Sequence, residues 1–379
     1  MRREHCHGRT VVPGFAVPAL LVACLAGLPV ARGEVRVLGG VTAGRTVANP
    51  DAAVVNEPFA VSFDAAGRMY GVEYTRGNRL FRIAKPQEAR GLEGVEFVAG
   101  TFHKADDKPQ VAAGAVWFNG LHDVAVAADG PVYVADTFNH RICTFDAATG
   151  AVAVVAGKGS AGFSGDGGPA TQAEFKNAYC GSLAPDGRSL LVADIGNSRL
   201  RRIDLVARTV ETIVGNGTAG KPVDGVKPLE TPLAGPRAAC VSPDGTVYLA
   251  LREGNALVEI KGGVVRTVVN ASGKGGYAGD GGPGRDALLA GPKYVALDRR
   301  GRVLIADTEN HCIRRYDPAA GTIELVAGTP PRKGATVGAD LLSTQLFRPH
   351  GCCLDPQGRL VIADSDNDRI IVGDLPGGG

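Results

Sequence analysis

The chain has 379 residues, 54 of them glycine, with 6% aromatic residues and a formal net charge of +2. Its 41 basic and 39 acidic residues leave no cationic excess of the kind that nucleic acid or an anionic membrane demands. The length by itself would suggest two domains, but a glycine-rich composition suits many short strands joined by tight turns.

Arg2, Arg3 and Arg9 precede an apolar stretch from Val11 to about Leu28, and Ala31-Arg32-Gly33 offers small residues where a signal peptidase reads. Residues 1–33 are therefore expected to be a signal peptide, cleaved before Glu34, sending the protein to the periplasm, the cell envelope or the exterior. Leu21-Val22-Ala23-Cys24 resembles a lipobox, so lipid anchoring at Cys24 is the alternative. Pro13, Pro18 and Pro29 argue against a structural helix here. Without Arg2, Arg3, Arg9, Arg32 and Glu4, the mature chain keeps 37 basic and 38 acidic residues and no transmembrane segment.

Residues 34–38 (Glu34-Val35-Arg36-Val37-Leu38), followed by Gly39-Gly40, read as one strand far from any partner in sequence. Downstream, one unit recurs six times. Its tight turns carry Gly67, Gly130, Gly187, Gly245, Gly301 and Gly358, spaced 56 to 63 residues apart, and three of them are Asp-Gly turns. Each turn joins two apolar strands, such as that at Val132-Tyr133-Val134-Ala135. A polar turn follows: Asp136 to Ile142, Asp194 to Leu200, Asp307 to Ile313 and Asp364 to Ile370. Its Asp is expected to bond backbone N–H groups two residues on, and its Asn to accept the left-handed region. A charged third strand and a fourth strand ending in Gly complete the unit.

The turns resemble the NHL repeat, whose usual copy ends Val-Ala-Asp-x-x-Asn-x-Arg-Ile, and the resemblance covers about residues 34–375. Two copies depart: the first has Glu73 for the Asp, and the fourth has Leu251 and no Arg, so those turns need other partners. The sixth copy stops at a third strand, Ile370-Ile371-Val372, one short. The expectation is an all-β, six-bladed β-propeller of four-stranded blades, with residues 34–38 completing the last blade. The domain would span 34–375, with 376–379 as a tail. Such closure removes open sheet edges, and the ring is expected to be a monomer.

Two Gly-rich loops repeat between blades, Gly162 to Ala170 and Gly276 to Pro283, with a looser relative at Val223-Asp224-Gly225. They lack the Gly-Lys-Ser/Thr of a phosphate loop, and one carboxylate each falls short of a calcium site. They are expected to be structural junctions. Of eight cysteines, Cys6 and Cys24 lie in the leader. The rest show no Cys-x-x-Cys spacing, and Cys240 and Cys353 lie on apolar strands where a thiol packs as a small hydrophobe.

The position eight residues before each turn glycine starts the innermost strand, so six residues should encircle one mouth of the channel: Phe59, His122, Tyr179, Arg237, Lys293 and His350. Five of them donate or accept hydrogen bonds, which makes the mouth the expected ligand site. Similarity to two enzyme families on six-bladed propellers implies an alternative. The peptidyl-hydroxyglycine lyases hold metal with three His on alternate blades, and the gluconolactonases with carboxylate and amide oxygens. Here the alternate blades carry His122, Arg237 and His350, so His122 and His350 are the candidate ligands for zinc or calcium. In that alternative, a metal-dependent lyase or lactonase-like hydrolase, Tyr179 acts as acid or base and Arg237 grips a substrate carboxylate. Arg237 and Lys293 oppose a divalent cation, however, and favour an anion. Asp123 and Glu57 are the candidate counter-charges. The reading adopted is an exported binding scaffold for a protein, a glycan or a small acidic ligand such as a carboxylated sugar.

Overall fold

Six four-stranded antiparallel sheets form the blades of a closed ring in the computed structural model, and each inner strand packs against those of both neighbours. The structure describes residues 1, 35–40, 54–89, 94–101, 116–127 and 130–378. The leader, its cleavage site and Cys24 lie outside the described residues. The inner strands are Pro58–Phe63, Leu121–Val126, Ala178–Leu183, Pro236–Val241, Tyr294–Leu297 and Gly351–Leu354. Among the described residues the only helices are single 3-10 turns, and no helix is long and apolar enough to cross a membrane.

The second strand of a blade is buried on both faces, as along Val132–Asp136, Val303–Asp307 and Leu360–Asp364. Neighbouring blades cover the two sides, so these strands are continuous apolar runs rather than alternating ones. Cys143, Cys240, Cys312 and Cys352 are buried free thiols on strands, and burial pushes Cys143 and Cys352 up to about 12.

The ring closes as expected, with a small offset. The N-terminal strand is Arg36–Gly40, paired antiparallel with Arg369–Gly373 of the sixth blade. It runs two residues further than residues 34–38 because Gly39 and Gly40 pair with Ile370 and Arg369, while Leu38 is skipped in a bulge. The fourth strand of every other blade bulges at the same place, skipping Val98, Val155, Ile213, Val268 and Val326. The distant N-terminal segment therefore reproduces a fourth strand down to its irregularity.

The polar turns form a belt of satisfied charge, but not by the expected local bonds. Asp136, Asp194, Asp307 and Asp364 each accept, at 2.7 Å, a backbone N–H from the segment leading into the same blade: Asn119, Lys176, Ala290 and Phe347. The Asn of the turn donates to the same carboxylate, as Asn367 does to Asp364 at 2.7 Å. In blades two and six the Arg completes the set, with Arg369 Nε 2.7 Å from Asp364 and Arg141 Nε 2.7 Å from Asp136. In blades three and five Arg201 and Arg314, two residues further along, lie 3.7 Å from Asp194 and Asp307. The left-handed residue is the one after the Asn: His140, Ser198, His311 and Asp368. His140 and His311 are half-buried, and their Nδ1 atoms accept from Asn177 and Arg348 of the next blade. In the first blade Glu73 does the work of Asp, accepting from Asn56 N–H at 2.7 Å and Arg79 Nε at 2.6 Å. In the fourth, backbone bonds replace the carboxylate: Arg252 N–H to Gly235 and Gly254 N–H to Ala234.

The Gly-rich loops are junctions, as expected. Asp166 and Asp280 accept from the buried Arg201 and Arg314, at 2.7 and 2.8 Å. Those guanidiniums also donate to loop carbonyls, Ser164 and Ala278 among them.

Candidate functional site at the channel mouth

A repeated backbone device aims side chains at the mouth. In the first four blades the pairing of inner and second strand skips Phe59, His122, Tyr179 (with Cys180) and Arg237. A bulge leaves its extra residue unpaired and re-aims that side chain. In blades five and six, Lys293 and His350 lie one residue before the strand, each backbone N–H still donating across, to Ala306 and Ala363 at 3.1 Å. Two residues earlier the chain is left-handed in all six blades: Glu57, Gly120, Asn177, Gly235, Gly291 and Arg348. Gly and Asn adopt that conformation readily, whereas Glu57 (φ 40°) and Arg348 (φ 46°) are strained by roughly 1–2 kcal/mol each. Strain of this kind collects at functional sites.

All six residues meet at the mouth. Phe59 is central, its ring centroid 4.5 Å from His122 and 4.4 Å from His350. His122 stacks edge-on against Tyr179 at 4.0 Å and Tyr74 at 4.6 Å. The Arg237 guanidinium lies over the Tyr179 ring at 3.7 Å. Lys293 Nζ is 2.8 Å from His350 Nε2. Five of the six are buried, with Tyr179 half-buried.

The mouth is two-sided. Blades one to three supply rings, from Phe59, Tyr74, Phe138 and Tyr179, around His122. Blades four to six supply charge, from Arg237, Arg252, Lys293, Glu309 and Arg348. Tyr74, Phe138, Arg252 and Glu309 escaped the sequence reading because they lie in the polar turns, out of register with the strand starts. Aligning those turns as a second ring would have found Phe138 and Glu309.

Neither expected counter-charge faces the cations. Glu57 is held by Arg76, whose Nε is 3.2 Å away and whose N–H donates to it. Asp123 lies on the inner strand below the ring. It accepts from Val124 N–H, from Gly181 N–H and, from the opposite blade, from the Tyr294 hydroxyl at 2.9 Å. Tyr294 thus spans the channel and gives the mouth a floor. The carboxylate that does face the cations is Glu309, 3.7 Å from Lys293 and doubly bonded by Arg348 at 2.9 and 3.0 Å. Among the described residues Arg237 has no carboxylate within ion-pair reach.

Burial, reinforced by Arg237, holds the His122 imidazole well below the usual histidine range. Burial and then Lys293 do the same for His350. Both rings are therefore neutral. His122 Nδ1–H donates to the Gly120 carbonyl at 2.8 Å, so Nε2 carries a lone pair. That Nε2 and the Nδ1 of His350 are buried, and among the described residues neither has a hydrogen-bond partner. Buried polar atoms of this kind call for a ligand or a water.

The donor set does not fit zinc or calcium. The carbonyl bond of His122 is the usual support of a ligating imidazole, but the Nε2 of His350 already faces an amine, and Arg237 stands where a third imidazole would be. Among the described residues no three His, Cys, Asp or Glu side chains converge as a metal site.

Comparisons with known proteins agree with the architecture. The sequence profile of the NHL repeat matches residues 118–145 and 289–316. NHL repeat-containing protein 2 of Homo sapiens is 27% identical over 287 residues, 68% of this chain and 39% of that protein. The chain spans less than half the length of the curated relatives it matches. Among solved structures, a protein of unknown function from Bacteroides thetaiotaomicron superposes with a TM-score of 0.64 at 18% identity, covering 89% of this chain and 75% of that one. An auxiliary nutrient binding protein from Bacteroides ovatus gives 0.60 at 14% identity, with the same coverage. At these identities the structures speak to fold alone: the chain is a six-bladed β-propeller, and it matches the NHL repeat at residues 118–145 and 289–316.

Proposed function

We propose that the protein is an exported binding propeller whose channel mouth holds a small acidic ligand of the sugar-acid class. The observation that carries this reading is a buried Arg237 that has no carboxylate partner among the described residues, set beside two imidazoles that each keep, among those residues, an unpartnered ring nitrogen. A guanidinium grips a carboxylate through two parallel hydrogen bonds. Hydroxyls of the same ligand would donate to His122 Nε2 and accept at His350, and the flat apolar face of a sugar ring would lie against the aromatic half. The nutrient binding proteins among its structural neighbours are in keeping with this role. The leader, Arg2 to Gly33, supports export to the envelope or beyond, with Cys24 as a lipid anchor in the alternative.

A metal-dependent lyase or lactonase at the same mouth is disfavoured by the Lys293–His350 contact and by Arg237. The test is calorimetric titration with gluconate and methyl glucuronide against glucose. Binding of the acids alone, lost in Arg237→Ala with Lys293→Ala, supports the proposal. Equal binding of glucose, or unchanged binding by the double variant, contradicts it.

A further inference from the structure

Lys293 is an unusual lysine. Its side chain is 5% exposed, and its Nζ lies 2.8 Å from an imidazole nitrogen rather than against a carboxylate of its own. The one carboxylate in ion-pair reach among the described residues, Glu309, is 3.7 Å away and has both oxygens engaged by Arg348. The other charged groups around the amine are Arg348, Arg237 and Arg252. An ammonium taken out of water beside three guanidiniums loses its proton easily. Burial first, then Arg348 and Arg237, bring Lys293 from 10.5 down to about 7. The same surroundings keep His350 neutral and able to take a proton from the amine. A lysine desolvated and placed next to other cations is the usual way a protein makes an amine nucleophilic.

We propose that Lys293 is a nucleophilic amine that forms an imine with small oxo acids whose carboxylate is held by Arg237. The Nζ lone pair adds to the carbonyl carbon, and the C–O π electrons move to oxygen. The proton shed by nitrogen passes to that oxygen through His350, giving a carbinolamine. Loss of the hydroxyl with a second proton from nitrogen releases one water and leaves the C=N bond. No redox partner is needed. This reactivity goes beyond ligand binding, although it uses the same mouth.

The experiment is reductive trapping of the full wild-type chain at pH 7 with glyoxylate and cyanoborohydride, read by peptide mass mapping. Exposed Lys85, Lys158 and Lys261 serve as internal references. Buried among cations, Lys293 has the amine form available at neutral pH, and labelling there should be at least about tenfold faster than at the references. Propanal, which has no carboxylate, should lose most of that preference, as should Arg237→Ala with glyoxylate. Labelling of Lys293 no faster than the references overturns the proposal, as does equal preference for propanal. Methyl glucuronide has no free carbonyl, so its titration separates the two readings. If it binds while trapping fails, the binding site stands and the nucleophile falls. If trapping succeeds while it does not bind, the reverse holds.

Discussion

Two rings of buried charge lie close together in this propeller, and they are built on opposite principles. In the turn belt every buried carboxylate has a guanidinium, an amide or a backbone N–H against it, as Asp364 has Arg369, Asn367 and Phe347. In the mouth, among the described residues, Arg237 meets Tyr179 rather than a carboxylate, Lys293 has an imidazole and a shared carboxylate, and two imidazole nitrogens have no hydrogen-bond partner. The belt's Asp and Asn recur in four blades, each Asp accepting a backbone N–H at 2.7 Å, whereas the six mouth positions carry five different residue types. Regular, satisfied charge holds the fold together. Irregular, unsatisfied charge at equivalent backbone positions marks what the fold presents.

That contrast can be broken by substitution. The largest effect is expected in the belt: Arg369→Met strands Asp364 inside the protein and should cost about 3–5 kcal/mol of unfolding free energy, read from urea denaturation. A loss under 1 kcal/mol would mean that the belt is ornamental. In the mouth, Arg237→Met should leave stability within about 1 kcal/mol of wild type, since no ion pair is lost. It should weaken sugar-acid binding by roughly 10- to 100-fold, the value of a hydrogen-bonded charge. Unchanged affinity would place the ligand elsewhere.

Acid should separate the rings next. His122 and His350 have folded values well below 6.5, so below that pH the unfolded chain binds more protons than the folded one. Their contribution is complete above pH 6.5 and declines as pH falls towards the folded values. Each imidazole should steepen the loss by about 1.4 kcal/mol per pH unit. Wild type should therefore lose more stability than His122→Phe between pH 6.5 and 5.5, and parallel curves would contradict the assignment of a neutral buried imidazole. The smallest effect is at the strained Arg348, where Arg348→Gly relieves a left-handed backbone worth roughly 1 kcal/mol. Because the same change removes the two bonds to Glu309 and adds the chain entropy of Gly, these effects should offset, and the variant should melt near wild type and bind an acidic ligand less tightly. A lower melting point together with full affinity would make Arg348 structural.

Much of this was legible in the sequence, for physical reasons. Strand starts and turn glycines obey a spacing that the ring imposes, so Phe59, His122, Tyr179, Arg237, Lys293 and His350 could be placed on one mouth by counting. The closing strand was legible because it keeps the apolar pattern and terminal Gly of a fourth strand. Its exact bounds were not, because the bulge at Leu38 lets Gly39 and Gly40 pair. The counter-charges were misjudged because sequence adjacency does not give direction. Asp123 follows His122 but points down the channel to Tyr294, and Glu57 turns outward to Arg76. Glu309 lies 16 residues from Lys293 and reaches it only through the folded turn.

The central claim is that stability and ligand recognition reside in different rings. It is tested most directly by measuring Arg369→Met and Arg237→Met side by side by thermal unfolding, with and without saturating gluconate. The account predicts a crossed result. Arg369→Met melts well below wild type but keeps the ligand-induced rise, and Arg237→Met melts near wild type but loses it. If Arg237→Met keeps the rise, or if its melting point falls as far as that of Arg369→Met, the mouth is part of the scaffold and the account is wrong.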